Sequence, residues 1–131
     1  SNMVQINYLA PIQIVQSLLG NLKRGKAHIV NIGSMGGFSG SSKFPGLSIY
    51  SSTKAALANL SECWAEELKE FGVTSNCLAL GAVNTEMLKN AFPGYEAPVN
   101  SRLMGEKIVD FSINFNGVLN GKIIPFSVST P

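Results

Sequence analysis

Residues 29–54 read IVNIGSMGGFSGSSKFPGLSIYSSTK, and this stretch decides the fold. The run His28–Ile32 (HIVNI) is β-branched and mostly apolar, the kind of composition that forms a buried parallel strand. It stops at Gly33-Ser34, which places Ser34 at the carboxyl end of the strand, where open α/β sheets bind their ligands. A glycine- and serine-rich connection follows. From about Ser48 the glycines and prolines cease, and residues 49–71 (IYSSTKAALANLSECWAEELKEF) carry a helical pattern. Tyr50 and Lys54 stand four apart on it and share one face. An ammonium near a phenol favours the phenolate, which suits a tyrosine to exchange a proton with an alcohol or ketone. Ser34 is then placed to hydrogen-bond the substrate oxygen. Taken alone, a Tyr-x-x-x-Lys on a helix is an ordinary surface pair, and a serine ending a strand is a turn former. The order is what speaks: strand, serine, glycine-rich loop, then tyrosine and lysine on one helix face.

Outward from this segment, the chain alternates helix and strand. Ser1-Asn2 ahead of Met3 is expected to be the remnant of a cleaved tag. Residues 4–22 place Leu9, Ile12, Val15, Leu19 and Leu22 near helical periodicity, with a kink or a late regular start at Pro11. Gly20-Asn21 and Lys23-Arg24-Gly25 are expected to stop this helix. Asn7, taken alone, is a cap or a solvated polar group. Gly72 ends the long helix, and residues 73–80 (VTSNCLAL) read as a second buried strand. A helix capped near Asn100-Ser101 follows, carrying Leu103, Met104, Ile108 and Phe111. Asn120-Gly121 turns into a last strand, residues 122–128, whose Pro125 confines it to a sheet edge.

The composition excludes several classes. At 131 residues the chain is one domain able to bury a core. Its net charge of +2 is too small and scattered to argue for nucleic acid or a membrane surface, and no apolar run approaches the roughly 20 residues a bilayer span needs. Cys63 and Cys77 offer neither metal spacing nor a disulfide framework; both are expected to be buried, reduced thiols of a cytoplasmic protein. His28 has no acidic, Cys or His partner at ligand spacing and is expected to be structural. Gly36, Gly37 and Gly40 lack both the G-x-G-x-x-G spacing and the lysine of a phosphate loop, and read as a wall near the substrate.

The ordered set Ser34, Tyr50, Lys54 resembles the catalytic half of the classical short-chain dehydrogenase/reductase family, whose pattern is a strand ending in serine followed by Y-x-x-x-K. The resemblance implies that Ser34 orients substrate and Tyr50 is the general acid/base. Lys54 is implied to tune that tyrosine and, with it, to hold the nicotinamide ribose. The serine-to-tyrosine interval exceeds the family's common one because of GSSKFPGLS (40–48), read as a loop insertion. INYLAPI (6–12) resembles the family helix whose asparagine completes a tetrad; Asn7 is implied to hold a water in a proton relay to the lysine. LGAVNTEM (80–87) resembles the motif P-G-x-x-x-T with Leu80 in place of proline. Carried over, Gly81 allows close approach of NAD or NADP, Val83 meets the nicotinamide carboxamide through its main chain, and Thr85 bonds the carboxamide or a phosphate. Met87, Leu88, Phe92 and Tyr95 fall in the implied substrate lid. Ala55, Ala56, Ala58 and Asn59 form a small-residue face that packs against a second subunit in the family and fits intrachain packing equally well. A homodimer or larger assembly is expected.

The expected fold is therefore α/β: a three-layer α/β/α sandwich, the C-terminal part of a doubly wound, Rossmann-type parallel sheet, with about three strands, three helices and right-handed crossovers. The resemblance spans residues 1–131 as a single domain, but only the carboxyl-terminal half of the family fold. The sequence holds no T-G-x-x-x-G-x-G turn and no N-N-A-G segment, and its sole aspartate, Asp110, lies in the last helix, so nothing cradles a pyrophosphate or reads a ribose. Two functions follow as expectations. One is a piece of an NAD(P)-dependent oxidoreductase acting on a small carbonyl or alcohol, cut by design or proteolysis and without turnover alone. The other is a naturally short, non-catalytic module that self-associates or binds a partner.

Overall fold

The computed structural model describes residues 2–35, 46–81, 90 and 92–127. Within them three strands pair in the order β1-β2-β3, all parallel: β1 is His28–Ser34, β2 is Thr74–Leu80 and β3 is Ile123–Phe126. The register sets His28 against Thr74 and Ser34 against Leu80, so the carboxyl ends of β1 and β2 lie level. β3 is an edge strand, and Pro125 sits there opposite Ala79, where a residue without an N–H is tolerated.

The first helix is not uniform. A single α turn, Asn2–Val4, leads into a π-helical segment, Gln5–Leu9, before regular helix α1 runs from Ala10 to Gly25. The Ala10 N–H donates to the Gln5 carbonyl, five residues back. Pro11 explains the change of winding, because it has no N–H to give the carbonyl of Asn7 four residues earlier. Of the expected stop signals, Gly20-Asn21 does not end the helix and Lys23-Arg24-Gly25 does. The helix continues to Gly25, and its cap is Lys26 in the left-handed region at φ 47°. Lys26 tolerates this because its N–H reaches the Leu22 and Lys23 carbonyls, while its aliphatic stem packs on Gly72, itself at φ 76°.

Helix α2, Ser48–Leu68, carries Tyr50 and Lys54 in its first two turns and ends through a 3₁₀ turn, Lys69–Phe71, at Gly72. Helix α3, Ser101–Asn114, begins as expected: the Asn100 side chain accepts the Leu103 N–H, satisfying one of the donors a helix start leaves open.

Side-chain alternation along the strands separates the two faces. On one, Ile29 joins Val15 of α1 and Trp64 and Leu68 of α2 in a buried core, closed by Val73. On the other, the His28 ring lies 5.6 Å from Phe111 of α3, and Phe111 meets Phe126 of β3. Helices thus cover both faces in three layers. This corrects the expectation of uniform right-handed crossovers. The steps β1 to β2 and β2 to β3 run the same way across the sheet, yet α2 lies on one face and α3 on the other. The two connections are therefore of opposite hand, against the strong general preference.

Polar residues pin the lower end of the sheet. Asn76 is fully buried, and its amide nitrogen bonds His28 Nε2 and the Leu119 carbonyl while its oxygen accepts the Lys122 N–H. His28 Nδ1 faces the Ser112 carbonyl at 2.9 Å, so the tautomer that satisfies both contacts carries its proton on Nδ1. His28 is structural, tying β1 to β2 and α3. Cys77 is buried, but Cys63 is exposed on the outer side of α2, which corrects the expectation of two buried thiols; periodicity alone did not separate the faces of so long a helix. No helix among the described residues is long and apolar enough to cross a membrane.

Two buried polar residues adjacent on β2 should behave oppositely. Asn76→Ala strands the Lys122 N–H and removes three bonds, and should cost about 3 kcal/mol in a denaturant melt. The Ser75 hydroxyl is buried without a partner, so Ser75→Ala should leave stability unchanged or raise it by up to about 1 kcal/mol.

Candidate active site

The candidate site lies where β1 ends and α2 begins. Ser34 closes β1, half-buried, with Leu80 and then Gly81 at the neighbouring strand end. Lys54 returns toward the same place: its Nζ donates to the Ile32 carbonyl at 2.9 Å, two residues before Ser34. The same nitrogen stands 5.9 Å from the centre of the Tyr50 ring. Strand end, phenol and ammonium are therefore gathered by one short backbone contact and one helical turn.

Asn7 meets α2 rather than the lysine. Its Nδ2 donates to Thr53 Oγ1 at 3.2 Å, and Thr53 Oγ1 donates to the Tyr50 carbonyl at 2.9 Å. Of the expected site residues, the described structure thus ties Asn7, Tyr50, Lys54 and the end of β1 into one neighbourhood. Gly81 follows β2 with its N–H directed at the Phe126 carbonyl, 3.4 Å away. Phe92 and Tyr95 share a turn in which the Tyr95 N–H donates to the Phe92 carbonyl at 3.1 Å. Val83, Thr85, Met87 and Leu88 lie outside the described residues.

A buried polar line runs under the site. Asn31 Nδ2 donates to Ser61 Oγ at 2.7 Å, and Ser61 Oγ donates to the Leu57 carbonyl at 3.0 Å. Cys77 sits beside them. Burial pushes its thiol above the ordinary 9.0, opposed by the Ser61 hydrogen bond, the Lys54 charge and the Gly33 backbone. Burial likewise holds the Lys54 ammonium below its ordinary 10.5, with a smaller opposing pull from the Cys77 sulfur. Nothing in the sequence singles out Thr53, or shows that Gly33 and Cys77 meet across the two strands. Gly33 is needed because a Cβ there would lie 2.7 Å from Cys77 Sγ, and only its position one residue before Ser34 hinted at that.

Known proteins resemble this chain in sequence and in fold. The family model for short chain dehydrogenases matches residues 1–96. Protein FixR of Bradyrhizobium diazoefficiens is 37% identical over 94 residues, which are 72% of this chain and 32% of that protein. The short-chain dehydrogenase PC-15 of Penicillium crustosum is 37% identical over 101 residues, 76% of this chain and 35% of the relative. In fold, a 4-hydroxyisoleucine dehydrogenase mutant complexed with NADH and succinate superposes with a TM-score of 0.79 at 17% identity, covering 96% of this chain and 56% of its own. ElxO with NADP bound gives 0.75 at 24% identity, over 92% and 53%. The chain spans about a third of the length of these curated relatives and about half of these solved structures.

Two outcomes follow from the packing. Gly33→Ala should destabilise the chain by about 1–3 kcal/mol through the clash with Cys77 Sγ, and adding Cys77→Ala should recover part of that loss, measured by thermal melts of both variants. The second concerns Lys54. Its folded pKa lies below that of the unfolded chain, so between the two the unfolded state holds more protons and stability rises with pH. Lys54→Met lacks this contribution. Urea melts should therefore show wild type gaining on the variant as pH climbs toward 10.5; a constant difference would mean that the ammonium is not desolvated.

Proposed function

Because this chain belongs to the short chain dehydrogenase family, we propose that it carries the proton-transfer portion of an NAD(P)-dependent oxidoreductase acting on a small carbonyl or alcohol. The observation that supports this most is the Lys54 Nζ contact with the Ile32 carbonyl, which draws the first turns of α2 over the strand end bearing Ser34. In the reducing direction, Ser34 Oγ and the Tyr50 hydroxyl converge on the substrate oxygen. Ser34 holds that oxygen by a hydrogen bond, and Tyr50 gives it a proton as negative charge develops there. In the oxidising direction Tyr50 takes the proton from the alcohol. A bound NAD or NADP supplies or accepts the hydride.

The residues present fit one end of such a cofactor. An ammonium has three N–H donors; one of Lys54's is committed to Ile32, and a ribose hydroxyl fits the rest of its valence. Gly81 brings backbone without a side chain to the end of β2; contact of Val83 and Thr85 with the nicotinamide carboxamide is part of the same proposal. Met87, Leu88, Phe92 and Tyr95 would close over the substrate. The other end of the cofactor has no counterpart here: these 131 residues contain no glycine-rich pyrophosphate turn.

The purified 131-residue chain should accordingly reduce no carbonyl with NADH or NADPH, and calorimetric titration with either should give no heat. Joined to a dinucleotide-binding half, the same residues should turn over substrate, and Tyr50→Phe should then lower kcat roughly 100- to 10,000-fold. An unchanged rate in that variant would remove Tyr50 from the chemistry.

The second reading, a non-catalytic module that self-associates or binds a partner, is favoured by exposed apolar side chains. Ile6 is 67% and Ile14 58% exposed on the first helix, and among the described residues β1 has a strand on one side only. Either reading calls for cover over these groups. Sedimentation should show a dimer or larger; a clean monomer would count against self-association.

A further inference from the structure

We infer that Thr53 is the positioning residue through which Asn7 sets the orientation of the Tyr50 turn. The inference rests on the proposed role of Tyr50 for its functional meaning, while the geometry stands independently.

Thr53 is buried and lies between the two residues of interest, three after Tyr50 and one before Lys54. Its hydroxyl has one proton and two acceptor lone pairs. The proton goes to the Tyr50 carbonyl at 2.9 Å, and a lone pair receives Asn7 Nδ2 at 3.2 Å. Both contacts pass through a single oxygen. A threonine that bonds a carbonyl in the preceding turn of its own helix competes with the regular ladder and bends it slightly. Here the bent carbonyl belongs to Tyr50, in the first turn of α2, where the helix has no earlier turn to stiffen it. Asn7 then holds the threonine rotamer from outside.

The opposite partner is equally specific. Asn7 sits in the middle of the π-helical segment Gln5–Leu9, with donorless Pro11 four residues on. A π turn takes up one residue more than an α turn, and one residue is worth about 100° of rotation around a helix axis. Returning this segment to α winding would swing Asn7 away from the position it holds. The π segment therefore aims Asn7, Asn7 orients the Thr53 hydroxyl, and that hydroxyl holds the Tyr50 peptide. This assigns the amide of Asn7 a geometric task on the tyrosine turn, distinct from any water relay to the lysine.

The test uses the 131-residue chain with ¹³C-labelled tyrosine, whose three rings belong to Tyr8, Tyr50 and Tyr95; the Tyr50 signal is identified by its loss in Tyr50→Phe. Thr53→Val keeps the shape and removes both bonds, and Asn7→Ala removes one. Both should move the Tyr50 ring resonance in the same direction, and the double variant should move it no further than Thr53→Val alone. Thr53→Ser should restore the wild-type position. Additive shifts, or a lowered Tm in Thr53→Val with the Tyr50 resonance unmoved, would overturn the inference and leave Thr53 a packing residue. Should Thr53→Val fail to fold, Pro11→Ala addresses the same chain of contacts from its far end. It should restore α winding and move the Tyr50 resonance, and no movement would again overturn the inference. None of these signals requires turnover, so they separate from the test of Tyr50 in catalysis.

Discussion

The parallel pairing of β1 with β2 is the constraint on which the site depends. Parallel neighbours cannot be joined by a hairpin; the chain must leave the top of one strand and travel back to the bottom of the next. Helix α2 makes that return, so its first turns necessarily stand over the carboxyl end of β1. Tyr50 and Lys54 occupy those turns, and the register brings Ser34 level with Leu80 directly below. The geometry of the candidate site is in this sense a by-product of connectivity. Local contacts, chiefly Lys54 with the Ile32 carbonyl, then fix the reach of each side chain.

The layer beneath shows what such placement costs. A half-buried ammonium, a fully buried thiol and a part-buried asparagine–serine pair occupy the ground between α2 and the sheet, where apolar packing would be more stable. Asn31 gives an N–H to the Ser61 hydroxyl, which passes its own proton to the Leu57 carbonyl, so the buried hydroxyl avoids the penalty of desolvation. Gly33 gives up a side chain so that Cys77 can fit. Further down the same strand the aliphatic core of Val15, Ile29, Trp64, Leu68 and Val73 supplies the stability that the upper end does not.

Much of this was legible in the sequence, and the reasons are local. Strand composition, the four-residue interval from Tyr50 to Lys54, the Asn100 cap and the edge position of Pro125 all follow from rules that act within a few residues. The misses arise from contacts between distant segments. Lys26 caps α1 in place of a glycine because Gly72 makes room for its stem. Cys63 and Cys77 look alike until the faces of α2 and β2 are known. The π winding at Gln5–Leu9 was only hinted at by Pro11. The task of Thr53 depends on Asn7, forty-six residues away in the chain. The hand of the second crossover belongs to no residue at all.

That reversal of hand has a consequence for packing. With α2 and α3 on opposite faces, the elements that bear Tyr50 and Lys54 share little packing with the α3 face, where an apolar hollow is lined by Val99, Leu103, Met104, Lys107, Phe126 and Ser127. Two uniformly right-handed crossovers would have set both helices side by side, and every change in one would have strained the other. Separation by the full thickness of the sheet lets side chains on the α3 face change without disturbing the contacts of Tyr50 and Lys54 on the other side. Changes of shape in that hollow are thereby decoupled from the packing of α2 on β1.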